Sequence, residues 1–219
     1  MRESYGRSLF ITPTSFEGAD PDFIQEGDGR NFLGDRSPGT GRPSRDRQAL
    51  IGTLAHRILY TWNFQADPEK LPALVTEVCH AGIPDEWKNE TPNFINELRD
   101  MFNGFVRTAP FAILRQAEIL GREVPIMVPW KREGEKVGWN KPSSAVLRGV
   151  VDIVYRWKHH IWVADYKTAI VKPDEEDWVV AKYRAQAIAY QDALREIFKD
   201  TTIRAQLIFL RQGFSKDLG

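Results

Sequence analysis

The residues with most chemical potential lie on one stretch, Leu147 to Thr168, where Asp152, Asp165 and Lys167 interrupt runs of valine, isoleucine and tryptophan. Two apolar segments flank a polar turn at about Lys158 and His159. Side chains alternate faces along a strand, so Ile161, Val163, Asp165 and Lys167 share one side. A hairpin centred between Lys158 and His159 sets Asp152 opposite Asp165. Two carboxylates opposed on a sheet repel, and an unpaired charge inside an apolar strand is costly. A cation between them resolves both problems. Oxygen ligands without cysteine favour a hard ion, Mg²⁺ or Mn²⁺. Lys167 projects to the same place. The competing reading is a structural ion pair on a sheet face.

These residues need elements to carry them. Ahead of the hairpin, Arg122 to Trp130 reads as a strand; within it, Val146 to Trp157 and Ile161 to Thr168 read as two more. A helix from about Trp178 to Lys199 and a strand from Thr202 to Leu210 follow. Upstream, Leu50, Ile51, Leu54, Ile58 and Trp62 mark a helix over 46–62. Asp67-Pro68 opens a second helix through Cys79, and Thr91-Pro92 repeats the device before Phe94, Ile95, Leu98, Met101, Phe102 and Phe105. The expected fold is α/β (α+β): a mixed β-β-β-α-β sheet behind a mainly helical first half. Leu9 to Phe16 is moderately apolar and Glu17 to about Arg47 is rich in Gly, Asp, Arg, Pro and Ser, so residues 1–45 read as an arm, partly extended or mobile, and 46–219 as the folded domain.

Bulk composition narrows the function classes. The 219 residues are 42% hydrophobic and 11% aromatic, enough for a proper core. No apolar run approaches the ~18 residues that span a bilayer, and the N-terminus lacks a secretory layout; a cytoplasmic protein without membrane contact is expected. Thirty basic residues balance thirty acidic ones, which argues against coating nucleic acid through general charge. Cys79 is the only cysteine. It excludes an intrachain disulfide and a cysteine-ligated zinc or iron–sulfur site.

Other residues carry weaker signals. His56 stands at the edge of an apolar helical stripe, where a satisfied core histidine is the simpler reading. Gln186 and Tyr190, at i and i+4, share a helical face, although Tyr190 also packs naturally with Val179, Tyr183, Ala187 and Leu194. His159 and His160 read as turn residues.

Together, Gly52-Thr-Leu-Ala-His56, Gly149-Val-Val-Asp152, Asp165-Tyr-Lys167-Thr168 and Gln186-Ala-Ile-Ala-Tyr190, in this order, resemble the RecB-like branch of the PD-(D/E)XK nucleases. Arg122-Glu123-Val-Pro125 is similar to the strand that precedes the catalytic hairpin in that family, and Phe10 to Ser15 to the segment where such domains follow a helicase. The likeness spans roughly residues 46 to 212. In one departure, Val151 stands where the superfamily often has proline. With one cysteine, the chain resembles cluster-free members such as the nuclease domains of RecB and AddA.

The resemblance implies a restriction-endonuclease-like core and a Mg²⁺- or Mn²⁺-dependent deoxyribonuclease, an exonuclease in expectation, without an iron–sulfur cluster. It implies that Asp152 and Asp165 bind the metal, with His56 and the Tyr166 carbonyl as further ligands. Lys167 would position or activate water and stabilise phosphate charge, and Glu123 would add a further acidic group. Thr168, Gln186 and Tyr190 would orient the hairpin and the DNA backbone. Lys131, Arg132, Lys136 and Lys141, between Trp130 and Trp139, suit a DNA-facing loop as well as an ordinary solvated one. DNA, as single strands or duplex ends, and a helicase module are the implied partners. The alternative is a catalytically silent member of the fold that binds DNA or a protein.

Overall fold

A computed structural model describes residues 10–11, 43–129, 146–171, 176–199 and 202–218. Its sheet has six strands: β1 (Phe10–Ile11), β2 (Glu118–Pro129), β3 (Val146–Trp157), β4 (His160–Lys167), β5 (Thr202–Phe209) and β6 (Phe214–Asp217). The helices are α1 (Pro43–Thr61), α2 (Leu71–Gly82), α3 (Thr91–Phe105), α4 (Ala109–Gln116) and α5 (Glu176–Ile197). The mixed α/β architecture expected for a restriction-endonuclease-like core is present. Strands β6, β5 and β4 follow one another, with β5 parallel to β4 through the α5 crossover. β3 is antiparallel to both β2 and β4.

The central strand is shared. One edge of β3 pairs with β2 from Val146 to Arg156. The other pairs with β4 only from Ile153 to Trp157, while β1 runs parallel at Val146 and Leu147. The segment expected as an arm thus contributes a strand beside the hairpin. Among the described residues, nothing pairs with that edge between Leu147 and Ile153, and the fork holds the candidate site.

Two layers cover the sheet. Ile51, Leu54, Ile58, Leu98, Phe102 and Phe105 of the helical half pack against Ile153, Tyr155, Ala164, Tyr166 and Ile208. Their stripes recur every three or four residues, which turns one helix face to the sheet. Trp62 stacks on Phe111 with centroids 5.1 Å apart, closing this core. Full burial of one such side chain is worth about 1.5–3 kcal/mol. On the other face, Ala187, Tyr190, Ala193 and Leu194 of α5 cover Val151, Val154, Ile161, Val163, Ile203 and Ala205.

Several expectations need adjustment. Thr91 does not cap α3: it is the first helical residue, preceded by Glu90 without a side-chain cap. A short helical turn, Pro68–Lys70, separates the Asp67 cap from α2. Neither α4 nor β6 was anticipated. The signal for α4 was present, since Thr108 caps it by accepting from the Phe111 N–H and Pro110 sits in its first turn. β6 spans four residues and follows Gly213, too short for a period to show.

Candidate active site

The hairpin turn fixes the register. Trp157 pairs with His160 around Lys158 and His159, and Lys158 has φ +55°; positive φ at the first central position suits a type II′ turn. The expected register holds through Ile153 opposite Ala164 and ends there. Asp152 and Asp165 therefore do not form a ladder pair. Instead, the Asp152 carboxylate accepts from the Tyr166 N–H at 2.7 Å. A side-chain oxygen has replaced the backbone acceptor, and β4 turns away to pair along its whole length with β5.

Alternation also breaks at Asp152. Val151 packs into the α5-side core, whereas Ile153, two residues on, packs into the α1-side core. Its neighbour on β2 shows the same irregularity. Arg122 pairs with Ile153 and Val124 with Val151, leaving Glu123 opposite Asp152. Glu123 adopts φ +48°, which is uncommon for any non-glycine residue and unusual inside a strand.

α1 brings His56 to this fork. Its Nδ1 lies 3.1 Å from Asp152 Oδ1, and its Nε2 lies 3.2 Å from the Tyr166 carbonyl oxygen. Both partners are acceptors, so the ring fills both contacts only as the doubly protonated imidazolium. Burial works against that charge. The hydrogen bond and charge of Asp152, with Asp165 and Glu123 nearby, outweigh it and raise the His56 pKa. One ligand atom each from His56, Glu123 and Asp152 lie within 4.8 Å of one another. Burial and the Asp152 charge raise the Glu123 pKa, partly offset by His56.

Asp165 and Lys167 face α5, as alternation required. The Lys167 ammonium lies 2.5 Å from Asp165 Oδ2 and 3.8 Å from the centroid of the Tyr183 ring. Burial, then the charge of Asp152, push the Asp165 carboxyl up to about 6 despite Lys167 and His56. A buried carboxyl pushed up by the charge of a second carboxylate is what a cation would relieve. The donors are imidazole, carboxylate and carbonyl, a set that can take a divalent ion. Burial raises the Cys79 thiol to about 11, so it stays protonated.

On α5, Gln186 donates to the Tyr190 hydroxyl at 3.1 Å, and both are buried. Tyr190 is pushed up to about 12, first by burial, with the Gln186 hydrogen bond and the Val150 backbone working against the rise. The pair lies on the face of α5 that covers the sheet. Thr168 closes the strand, with its carbonyl accepting from Arg211 Nε at 2.8 Å. On α1, Gly52 approaches the Thr168 hydroxyl; a Cβ there would lie 3.5 Å from Oγ1. The structure brings His56, Glu123, Asp152, Asp165, Tyr166 and Lys167 into one region. Lys131, Arg132, Lys136 and Lys141 lie outside the described residues.

Three contributors escaped the sequence reading. Tyr183, seen there only as a packing neighbour, supports Lys167; its shared face with Gln186 and Tyr190 was the available signal. Arg211 holds Thr168, and Arg122 holds the end of α1. Neither has a local pattern that marks it.

Over 150 residues, or 68% of the chain, the sequence is 26% identical to an ATP-dependent helicase/nuclease subunit of Anoxybacillus flavithermus. The match spans only 12% of that protein's length. A family model described as the PD-(D/E)XK nuclease superfamily matches residues 31–219. With that match over most of its length, the chain belongs to the PD-(D/E)XK nuclease superfamily.

Proposed function

We propose that the chain is a divalent-metal-dependent deoxyribonuclease that hydrolyses DNA phosphodiester bonds as an exonuclease. In this reading it is the nuclease part of a recombination or repair helicase-nuclease, or a stand-alone relative, and acts in the cytoplasm. The observation that carries the proposal is the His56, Glu123 and Asp152 cluster beside the Asp165–Lys167 pair. The name of the helicase/nuclease relative supports a helicase partner. Among the described residues, no helix is long and apolar enough to cross a membrane.

His56, Glu123, Asp152, Asp165 and the Tyr166 carbonyl are the groups that would hold Mg²⁺ or Mn²⁺. When bound, such an ion supplies Lewis acidity to a phosphate oxygen and lowers the pKa of water. His56 must first give up its second proton, because only a neutral ring nitrogen can ligate. Lys167, aimed by Asp165 and Tyr183, keeps its ammonium where negative charge develops on the phosphate and orients the attacking water. Tyr190 and Gln186 orient the hairpin from α5, and Thr168 fixes where the strand ends.

The test is hydrolysis of single- and double-stranded DNA by the wild type, Asp165→Ala and Lys167→Ala, with Mg²⁺, Mn²⁺ or EDTA. Ion-dependent cleavage by the wild type alone is expected. Cleavage that persists in both variants and in EDTA would overturn the proposal.

A further inference from the structure

Arg122 and Glu123 are adjacent on β2, yet both engage the α1 side of the sheet. Arg122 donates from one terminal nitrogen to the carbonyls of Leu59 (2.5 Å), Tyr60 (3.0 Å) and Trp62 (2.5 Å). Leu59 and Tyr60 are in the last turn of α1, whose carbonyls have no intrahelical partner of their own, and Trp62 follows the helix end. The guanidinium also lies 4.5 Å over the Phe64 ring. A Glu123 carboxylate oxygen lies within 4.8 Å of ligand atoms of His56, from the middle of α1, and of Asp152.

Regular alternation would send consecutive side chains to opposite faces. The left-handed backbone of Glu123, at φ +48°, removes that constraint. It is an unfavourable conformation that persists only where surrounding contacts fix it. Its strand neighbours supply such contacts: Arg122 is clamped to α1, and Val124 packs against the α5-side core. The ladder is held on both sides, by Arg122 opposite Ile153 and Val124 opposite Val151.

We infer that Arg122 is a positioning residue for Glu123. By clamping the end of α1 to β2, it holds the left-handed turn that brings the Glu123 carboxylate to His56 and Asp152, and so completes the cation cluster. This inference rests on the metal-dependent reading above. The clamp sets the separation between α1, which carries His56, and β2, which carries Glu123. Loss of the guanidinium lets the turn relax toward ordinary strand geometry and swings the carboxylate away. Asp152 keeps its hydrogen bond from the Tyr166 N–H of β4, and Asp165 keeps its pairing with Lys167.

The experiment is a double-mutant cycle read by calorimetric Mn²⁺ binding to the full chain: wild type, Arg122→Met, Glu123→Gln and the combination. Arg122→Met and Glu123→Gln are each expected to weaken Mn²⁺ binding about 10-fold or more, the usual scale for a group that orients metal ligands. The combination is expected to bind as weakly as Glu123→Gln alone, since Arg122 acts through that carboxylate. Additive losses would mean that Arg122 merely supports the fold, and would overturn the inference. So would unchanged binding in Glu123→Gln. A wild type that binds no Mn²⁺ overturns the metal-dependent reading itself and the inference with it. If Arg122→Met does not fold, as circular dichroism would report, Arg122→Lys takes its place in the cycle. It retains the charge and one carbonyl contact, and the same non-additivity is required.

Discussion

Arg211 donates through Nε to the Thr168 carbonyl at 2.8 Å, one residue beyond Lys167. The adjacent Leu210 N–H donates to the Lys167 carbonyl at 2.9 Å. From the other end of its guanidinium, Arg211 reaches Glu97 on α3, and Glu97 also accepts from Arg47 on α1 at 2.7 Å. A single relay therefore ties the end of β4 to both helices in front of it.

Arg211→Met is expected to lower kcat on DNA by about 10-fold while KM changes little, because small misplacements of a reacting group are costly. Arg47→Met shares the Glu97 contact but not the strand, so its cost should fall on Tm rather than kcat. Steady-state kinetics and thermal melts of the two variants check this. Equal kcat in Arg211→Met and wild type would rule out a role in aiming Lys167.

Asp165→Asn should separate activity from stability. The buried carboxylate beside Asp152 is unfavourable when no cation is present, as its raised pKa reflects. Its neutral amide should therefore abolish cleavage yet leave the metal-free protein at least as stable as wild type near pH 7.5. Melting in EDTA measures this. A Tm drop of more than about 4 °C, roughly 1–2 kcal/mol for a domain of this size, would show that the Lys167 pair dominates instead.

Glu97 gives the fold a defined acid sensitivity. Burial raises its pKa, but the hydrogen bonds of Arg211 and Arg47, together with their charges, outweigh burial and leave it below the usual value. An acid with a depressed folded pKa contributes stability that is complete above its unfolded pKa of about 4.3 and disappears as pH falls through the folded value. Glu97→Gln should thus lose about 2 kcal/mol at neutral pH, in line with hydrogen bonds to charged groups. The gap to wild type should close below about pH 4. Urea unfolding between pH 3 and 7 reads the two curves; a constant gap across that range would refute the assignment.

Gly213 is required by its backbone. At φ +69° a Cβ is strained, and it would lie 2.2 Å from the Thr108 Cγ2 atom. Thr108 cannot yield freely, since its hydroxyl donates to the Phe105 carbonyl at 2.7 Å and caps α4. Gly213→Ala should cost about 1–3 kcal/mol in urea unfolding, with cleavage by the folded fraction unchanged. A neutral effect would show that the turn before β6 adjusts without loss.

The sequence by itself determined the parts governed by short-range rules. Alternation from Ile161 to Lys167 and a two-residue turn at Lys158 and His159 sufficed for the hairpin, its register as far as Ile153 and Ala164, and the shared face of Asp165 and Lys167. Apolar spacing sufficed for α1, α3 and α5, because 3.6-residue periodicity is local. The tertiary structure decided what those rules cannot reach. Asp152 takes the Tyr166 N–H in place of a ladder partner, Glu123 abandons strand geometry to face His56, and Arg122 and Arg211 secure elements some 40 to 110 residues away. Each of these is a contact between a side chain and a distant backbone or charge. Its existence depends on how α1 and the sheet pack, and no nearby residue encodes it. Asp152 and Asp165 were found as a pair by symmetry; packing assigned one to the His56 cluster and the other to Lys167.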